Sequence, residues 1–165
     1  MNDEQRKEQG MKVRREVLGD AHVDRSVANT TEFTEPFQDW ITRNAWGEIW
    51  SRPGLTRPER SIAVLTVLAA LQHEDELHMH VKAALRNGLS EDQIREVLLQ
   101  VGLYAGVPVA NRAFAIASRA ITEYRDTEYR DTEYRDTEYQ DTGSRDEEHK
   151  DEEHKDKEPN GTEGG

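Results

Sequence analysis

Glu76 and His80 are two side chains whose types and spacing suit acid–base chemistry. They stand four residues apart in a segment predicted to be helical, so the carboxylate can reach the imidazole on one helix face. A carboxylate in that position would orient the ring and raise its pKa, which favours a general acid or base near neutral pH. The same spacing also suits a plain surface ion pair, and it does not by itself separate the two interpretations.

His73 lies on the same predicted helix face, and with Glu76 and His80 it would offer two imidazoles and a carboxylate to zinc or iron. A catalytic metal helix more usually carries a tight His-x-x-x-His or Glu-x-x-His pair, which this arrangement lacks. The sequence contains no cysteine, so thiolate ligands and thiol redox chemistry are excluded. We therefore expect no metal and no other cofactor.

Arginine and histidine side chains are concentrated near the end of the first predicted helix, at Arg15, His22 and Arg25. Arginine forks match carboxylate ligands. Trp46, Trp50 and Arg52 lie around a later turn, where a tryptophan serves either as a hydrophobic plug or as a ligand contact. These residues are candidates for binding a small acid.

The elements that must position these side chains are all predicted to be helices. Apolar periodicity, caps and Pro or Gly breaks predict six of them, and no convincing period-two strand is found. The third begins with a capping box, Thr56 to Glu59, and its apolar character on nearly all sides predicts a central position. The predicted helices span residues 6–18, 34–45, 56–72, 74–87, 90–104 and 106–124.

The last part of the chain, residues 125–165, is predicted to be a disordered acidic tail beside a helical domain at 1–124. The five-residue unit Thr-Glu-Tyr-Arg-Asp repeats there. A period of five matches neither a helix nor a strand, so it aligns no apolar face. The only large apolar side chains after Tyr124 are three tyrosines, too few to offset the entropy of ordering. The repeats could also bind a partner. Truncation after Tyr124 is expected to change neither melting temperature nor turnover.

Charge and hydropathy exclude several partners. The tail carries most of the net charge of −12, which leaves the domain nearly neutral and argues against nucleic acid. The longest apolar run, Ile62 to Leu71, is too short to span a bilayer, and the N-terminus does not resemble a signal peptide. We expect a cytoplasmic protein with no membrane partner.

Four segments together resemble the 4-carboxymuconolactone decarboxylases, in the family's own order and over roughly residues 5–124. They are RRxVLGDAHVDRS at 14–26, AWGEIWSRPGL at 45–55 followed by Arg60 and Ser61, ELxxH at 76–80 leading into Ala83-Ala84 and Asn87-Gly88, and YAGVPVAN at 104–111. His73 and His78 are not part of the pattern. The first two segments are specific, and the tail lies outside the match.

This resemblance implies an all-α, six-helix AhpD-like domain, the fold shared with alkylhydroperoxidase accessory proteins. In that sister group two cysteines and a histidine carry out redox chemistry on the helix that holds His73, Glu76 and His80 here. Only the histidine is retained, so redox activity is not expected. The resemblance also implies a ring-shaped homo-oligomer, a trimer or hexamer.

The implied activity is cofactor-independent decarboxylation of 4-carboxymuconolactone to the β-ketoadipate enol-lactone in protocatechuate catabolism. The substrate is a small lactone with two carboxylates. On this hypothesis His80 donates the proton, Glu76 orients it, and His22 completes the site for the developing oxyanion. The residues expected to contact substrate are Arg15, Arg25, Arg52, Arg60 and Trp46.

Two alternatives remain at this point. One is a decarboxylase or isomerase acting on another small lactone or keto acid. The other is a non-catalytic helical oligomer that binds small acids. Clustered arginine and histidine at turns favour an enzyme, because a scaffold has no need of them.

Overall fold

The computed structural model describes residues 2–127, and the predicted tail falls almost entirely outside this range. The first compact unit spans Met1–Glu123. The described part contains helices and no strand, which confirms the all-α prediction. The elements are α1 (Asp3–Leu18), α2 (Asp20–Ala28), α3 (Glu35–Ile41), a π-helix (Thr42–Ile49), α4 (Arg57–Ala70), α5 (Glu74–Arg86), α6 (Glu91–Ala105) and α7 (107–127).

Helix starts follow the capping residues in the sequence. Thr56 and Glu59 form the predicted capping box of α4, where the Thr56 amide donates to the Glu59 carboxylate at 2.7 Å. Ser90 and Gln93 form the equivalent box of α6. These reciprocal bonds satisfy amide groups that a helix start otherwise leaves without partners.

Two helical elements were not predicted. Gly19 adopts a φ of +85° and ends α1, and the chain then begins α2 at Asp20 instead of continuing as a turn. Only Val23 of α2 is buried. The apolar periodicity of this segment is therefore too weak to predict a helix. The second new element is the π-helix, which extends the predicted helix at 34–45 as far as Ile49.

Two apolar clusters form the core, and α5 contributes to both. One cluster joins α4, α5, α6 and α7, and the other joins α1, α2, the π-helix and α5. The prediction that the helix at 56–72 would be central was wrong. In α4, Leu65 and Ala69 are buried, whereas Val67 is about half exposed and Leu71 more so. Its second apolar face is open in the single chain, and α5 takes the central place.

Helix α1 contacts the π-helix backbone against backbone. A Cβ at Gly10 would overlap the carbonyl oxygen of Thr42, and one at Gly47 would overlap that of Arg6. Glycine is the only residue that permits this approach without displacement of a helix. The contact places the π-helix against the second core cluster.

Candidate active site

His80 lies on α5 with its ring against Trp50. The two rings are stacked with centroids 6.4 Å apart, and Trp50 in turn lies 5.3 Å from Trp46. Both tryptophans are buried, with 6% and 9% of their surface exposed. The imidazole therefore has an apolar, largely dry wall on one side.

The two tryptophans lie at the end of the π-helix. The Trp50 amide donates to the carbonyl of Ala45, five residues back, at 2.8 Å. Trp46 and Trp50 are four residues apart, and their neighbouring rings lie on the same side of this element. The Ser51 hydroxyl donates to the Trp46 carbonyl at 2.8 Å and closes the end of the element. Of the two roles considered for Trp46, the structure shows a plug in the second core cluster.

The pKa of His80 is lowered from 6.5 to about 4, mainly because the ring is buried. The charge of His22 contributes to this lowering, and Glu76 opposes it by a smaller amount. The expectation that Glu76 would produce a net rise was therefore wrong, because desolvation outweighs an exposed carboxylate. Within residues 2–127 no hydrogen bond joins Glu76 to His80. At neutral pH the His80 ring is uncharged in the unliganded site.

His22 lies on α2, half-buried and near enough to His80 for its charge to act on that ring. Burial lowers the pKa of His22, and four cations lower it further: Arg25, Arg14, Lys82 and Arg86. They come from α2, α1 and α5. Although the chain is acidic overall, the field at His22 is positive and favours an anionic ligand.

Three of the four predicted carboxylate clamps are already occupied. Arg15 bonds Asp20 at 3.0 Å and Asp24 at 2.7 Å. The exposed Arg52 pairs with Glu48 at 3.3 Å. Arg60 is buried and donates to the carbonyl of Arg52 at 2.7 Å, which holds the turn after the π-helix. Their geometry supports structural roles more directly than substrate contact.

Arg25 is different. It is exposed, it acts on His22, and the described part of the chain gives it no hydrogen bond or ion pair. Its charge therefore acts near His22 without a protein carboxylate from residues 2–127 beside it.

Sequence reasoning noted Trp50 beside Trp46 but did not place it in the site, and it did not single out Arg14 as a buried cation near His22. Both lie in the specific segments at 14–26 and 45–55. The spacing of Trp46 and Trp50 was visible in the sequence, but the stacking of the Trp50 ring on His80 was not. Arg14 stands next to Arg15, and only the packing of α1 shows which of the two points inward.

Two further observations concern metal binding and membrane-spanning helices. In the described range, no three histidine or acidic side chains converge as metal ligands would, so His73, Glu76 and His80 do not form the considered metal site. No helix between residues 2 and 127 combines the length and apolar character needed to cross a bilayer.

Three curated relatives of this chain are named as decarboxylases. A 4-carboxymuconolactone decarboxylase from Acinetobacter baylyi is 50% identical over 123 residues, which covers 74% of this chain and 92% of the relative. A nitrosuccinic acid decarboxylase from Metarhizium robertsii is 38% identical over 119 residues, covering 72% of this chain and 83% of the relative. A 4-carboxymuconolactone decarboxylase sequence from Pseudomonas putida is 52% identical over 48 residues, 29% of this chain and all of the relative.

Residues 35–119 match the model of the carboxymuconolactone decarboxylase family. This match and the identity over most of the Acinetobacter relative confirm the family predicted from the four sequence segments. They also confirm the predicted class of enzyme, a carboxy-lyase acting on a small molecule. The chain therefore belongs to the carboxymuconolactone decarboxylase family.

Proposed function

We propose that this protein decarboxylates 4-carboxymuconolactone to the β-ketoadipate enol-lactone and CO2, without a cofactor, in protocatechuate catabolism. The observation that carries the proposal is the site itself, in which two neutral imidazoles lie in a positive field beside a wall of tryptophan. Such a site attracts a small dianion and keeps water from part of it. The name of the Acinetobacter relative supports the choice of substrate.

The substrate supplies its own electron sink. The bond between the ring carbon and the departing carboxylate breaks, and its electron pair passes through the ring double bond to the lactone carbonyl oxygen. This step releases CO2, and the dienolate that remains is neutralised when a proton adds to a ring carbon. The second carboxylate, on an acetate arm of the lactone ring, is retained. The protein must hold this acetate arm, stabilise the oxyanion and deliver the proton.

His80 is proposed as the proton donor. Its ring is neutral in the free site, but a bound dianion favours the charged imidazolium and raises the pKa. Substrate binding would thus favour protonation of His80. Transfer of that proton to the dienolate would return the ring to its neutral form. Glu76 favours the same protonated state, from an exposed position.

Arg25 is proposed to hold the acetate arm, and His22 to donate to the oxyanion. A cation gripping the departing carboxylate would stabilise the ground state and slow the reaction. The dry side formed by Trp50 suits that carboxylate better, because loss of its charge as CO2 is favoured where water is excluded. Arg15, Arg52, Arg60 and Trp46 then act by supporting these groups.

The deciding experiment uses the full chain after treatment with a chelator. Disappearance of 4-carboxymuconolactone with stoichiometric CO2 release is the expected result. Folded protein that leaves this lactone unchanged would contradict the proposal. Binding of the lactone without CO2 would instead support the non-catalytic alternative.

A second candidate substrate is another small acid, since the Metarhizium relative is named for nitrosuccinic acid. Comparing kcat/KM for the two acids separates the candidates, and we expect the lactone to have the higher value.

The proposed assembly is a homo-oligomer, a trimer or hexamer, located in the cytoplasm. Large apolar side chains left open in the single chain support self-association. They include Val67 and Leu71 on α4 and Leu103 and Tyr104 on α6.

A further inference from the structure

We propose that Arg14 is a positioning residue of the decarboxylation site. Its buried guanidinium ties α2, which carries His22 and Arg25, to the π-helix, which carries Trp46. This inference rests on the proposed function for its kinetic part alone, because its effect on His22 can be measured without substrate.

The contacts of Arg14 join four elements. From α1 its Nη2 donates to the Ser26 hydroxyl of α2 at 2.8 Å and to the Gln38 side-chain oxygen of α3 at 3.0 Å. Its Nη1 donates to the Thr42 hydroxyl of the π-helix at 3.4 Å. The planar fork thus fixes three elements relative to α1.

This arrangement is costly for a simple structural tie. Arg14 is only 4% exposed, and burial lowers its pKa. Buried cations are normally paired with carboxylates, but the acceptors here are two hydroxyls and an amide. Among residues 2–127 no carboxylate is within ion-pairing distance of Arg14, and its Nε is buried without an acceptor. The side chain therefore contributes an uncompensated positive charge beneath α2.

Helix α2 has few other inner anchors. Val23 is its only buried residue, and its pairs with Arg15 are on the exposed side. His22 and Ser26 are four residues apart and share a helix face. Fixing Ser26 therefore fixes the direction in which His22 points, and a loose α2 would move the oxyanion donor and Arg25 together.

The charge of Arg14 also acts on His22 directly. The groups whose charges lower the pKa of His22 are Arg25 on its own helix, Arg14 on α1, and Lys82 and Arg86 on α5. His80, also on α5, is the titratable neighbour coupled to it. Removing the charge of Arg14 should raise the His22 pKa. A variant that changes the packing but keeps the charge should leave the His22 pKa almost unchanged.

Two substitutions separate the charge from the fork. Arg14→Lys keeps the charge and loses the planar fork, and Arg14→Gln loses both. We expect kcat to fall at least tenfold in each, with a smaller change in KM. NMR titration of His22 should give a raised pKa in Arg14→Gln and an almost unchanged pKa in Arg14→Lys. Arg43→Gln is the matched control, because Arg43 pairs with Asp39 outside the core and should alter neither quantity.

Ser26→Ala keeps the inference testable if Arg14 variants do not fold. It cuts the tie to α2 and leaves the charge in place, so kcat should fall severalfold without a rise in the His22 pKa. Full kcat in folded Arg14→Lys or Ser26→Ala would overturn the positioning role. An unchanged His22 pKa in Arg14→Gln would overturn the electrostatic role. If the wild type releases no CO2, the proposed function fails, and the His22 titrations still decide whether Arg14 acts on this ring.

Discussion

At the scale of single residues, the proposed chemistry depends on how His80 is surrounded. The ring lies against Trp50, and burial outweighs the opposing effect of Glu76, so its pKa is about 4 in the free protein. A neutral donor that is charged by its substrate differs from the raised pKa near neutral pH predicted from the Glu76 spacing. The difference is physical: spacing identifies a neighbour, but solvation decides the protonation state.

Replacement of His80 tests its role. We expect His80→Gln to lower kcat by about 100-fold or more, the range in which general acids act. The matched control is His78→Gln, on the same helix, because His78 pairs with Glu123 at 3.0 Å and takes no part in the proposed site. Steady-state rates of CO2 release measure both. Wild-type turnover in His80→Gln would remove His80 from the mechanism.

The same histidine should make stability depend on pH. Its pKa is about 4 in the folded protein and 6.5 as the reference value, so the unfolded chain binds a proton more readily between these values. Stability from this source is fully present above pH 6.5 and is lost as pH falls toward 4. Between pH 7 and pH 5 the loss should be about 2 kcal/mol.

Urea denaturation at both pH values measures this loss, and His80→Gln is its control. The variant should lose less stability than wild type over the same interval, because carboxylates titrate equally in both. Identical losses would mean that His80 is not buried as a neutral ring.

At the scale of elements, the site depends on the backbone contact between α1 and the π-helix. Gly10 and Gly47 allow it, and the contact holds the tryptophans over α5. Glycine inside a helix normally lowers stability relative to alanine. Its presence at two facing positions is explained by the close approach of the two backbones.

Replacing either glycine with alanine should therefore destabilise the protein. Although alanine favours the helix, its Cβ would overlap a carbonyl oxygen, and we expect a net loss of about 1–3 kcal/mol in the free energy of unfolding. Gly54→Ala is the control, because a Cβ there meets no atom within 4 Å. Unchanged stability in both Gly10→Ala and Gly47→Ala would show that the helices can move apart freely.

At the scale of the whole molecule, the open apolar side chains of α4 and α6 need an explanation. Leu103 and Tyr104 are 75% and 80% exposed in the single chain, and Val67 is 53% exposed. Isolated exposed apolar residues are ordinary, but several on neighbouring helices indicate a contact surface. We propose that a second copy of this chain binds this surface.

A charge placed on this surface should prevent assembly. We expect wild type to sediment as a trimer or hexamer and Leu103→Glu to shift toward smaller species, because a carboxylate in an apolar interface is poorly solvated. Glu8→Lys, on the exposed side of α1, is the control and should leave the assembly unchanged. Light scattering after size exclusion measures the mass. A monomeric wild type would contradict the proposed assembly.

Several features were predictable from the sequence because they depend on local interactions. The caps at Thr56 and Ser90, the break at Gly88 and the helical periodicity all act within a few residues. The family was predictable as well, because its specific segments retain their residues and order. These signals were sufficient for the all-α fold and the class of enzyme.

The tertiary structure alone decided the surroundings of the candidate side chains. It places Arg15, Arg52 and Arg60 on partners within the chain, and residues 2–127 offer Arg25 none. It buries Arg14, aligns Trp50 with His80, and makes the His80 ring neutral. These outcomes depend on burial and on neighbours from distant parts of the chain, and residue type and spacing carry no information about desolvation.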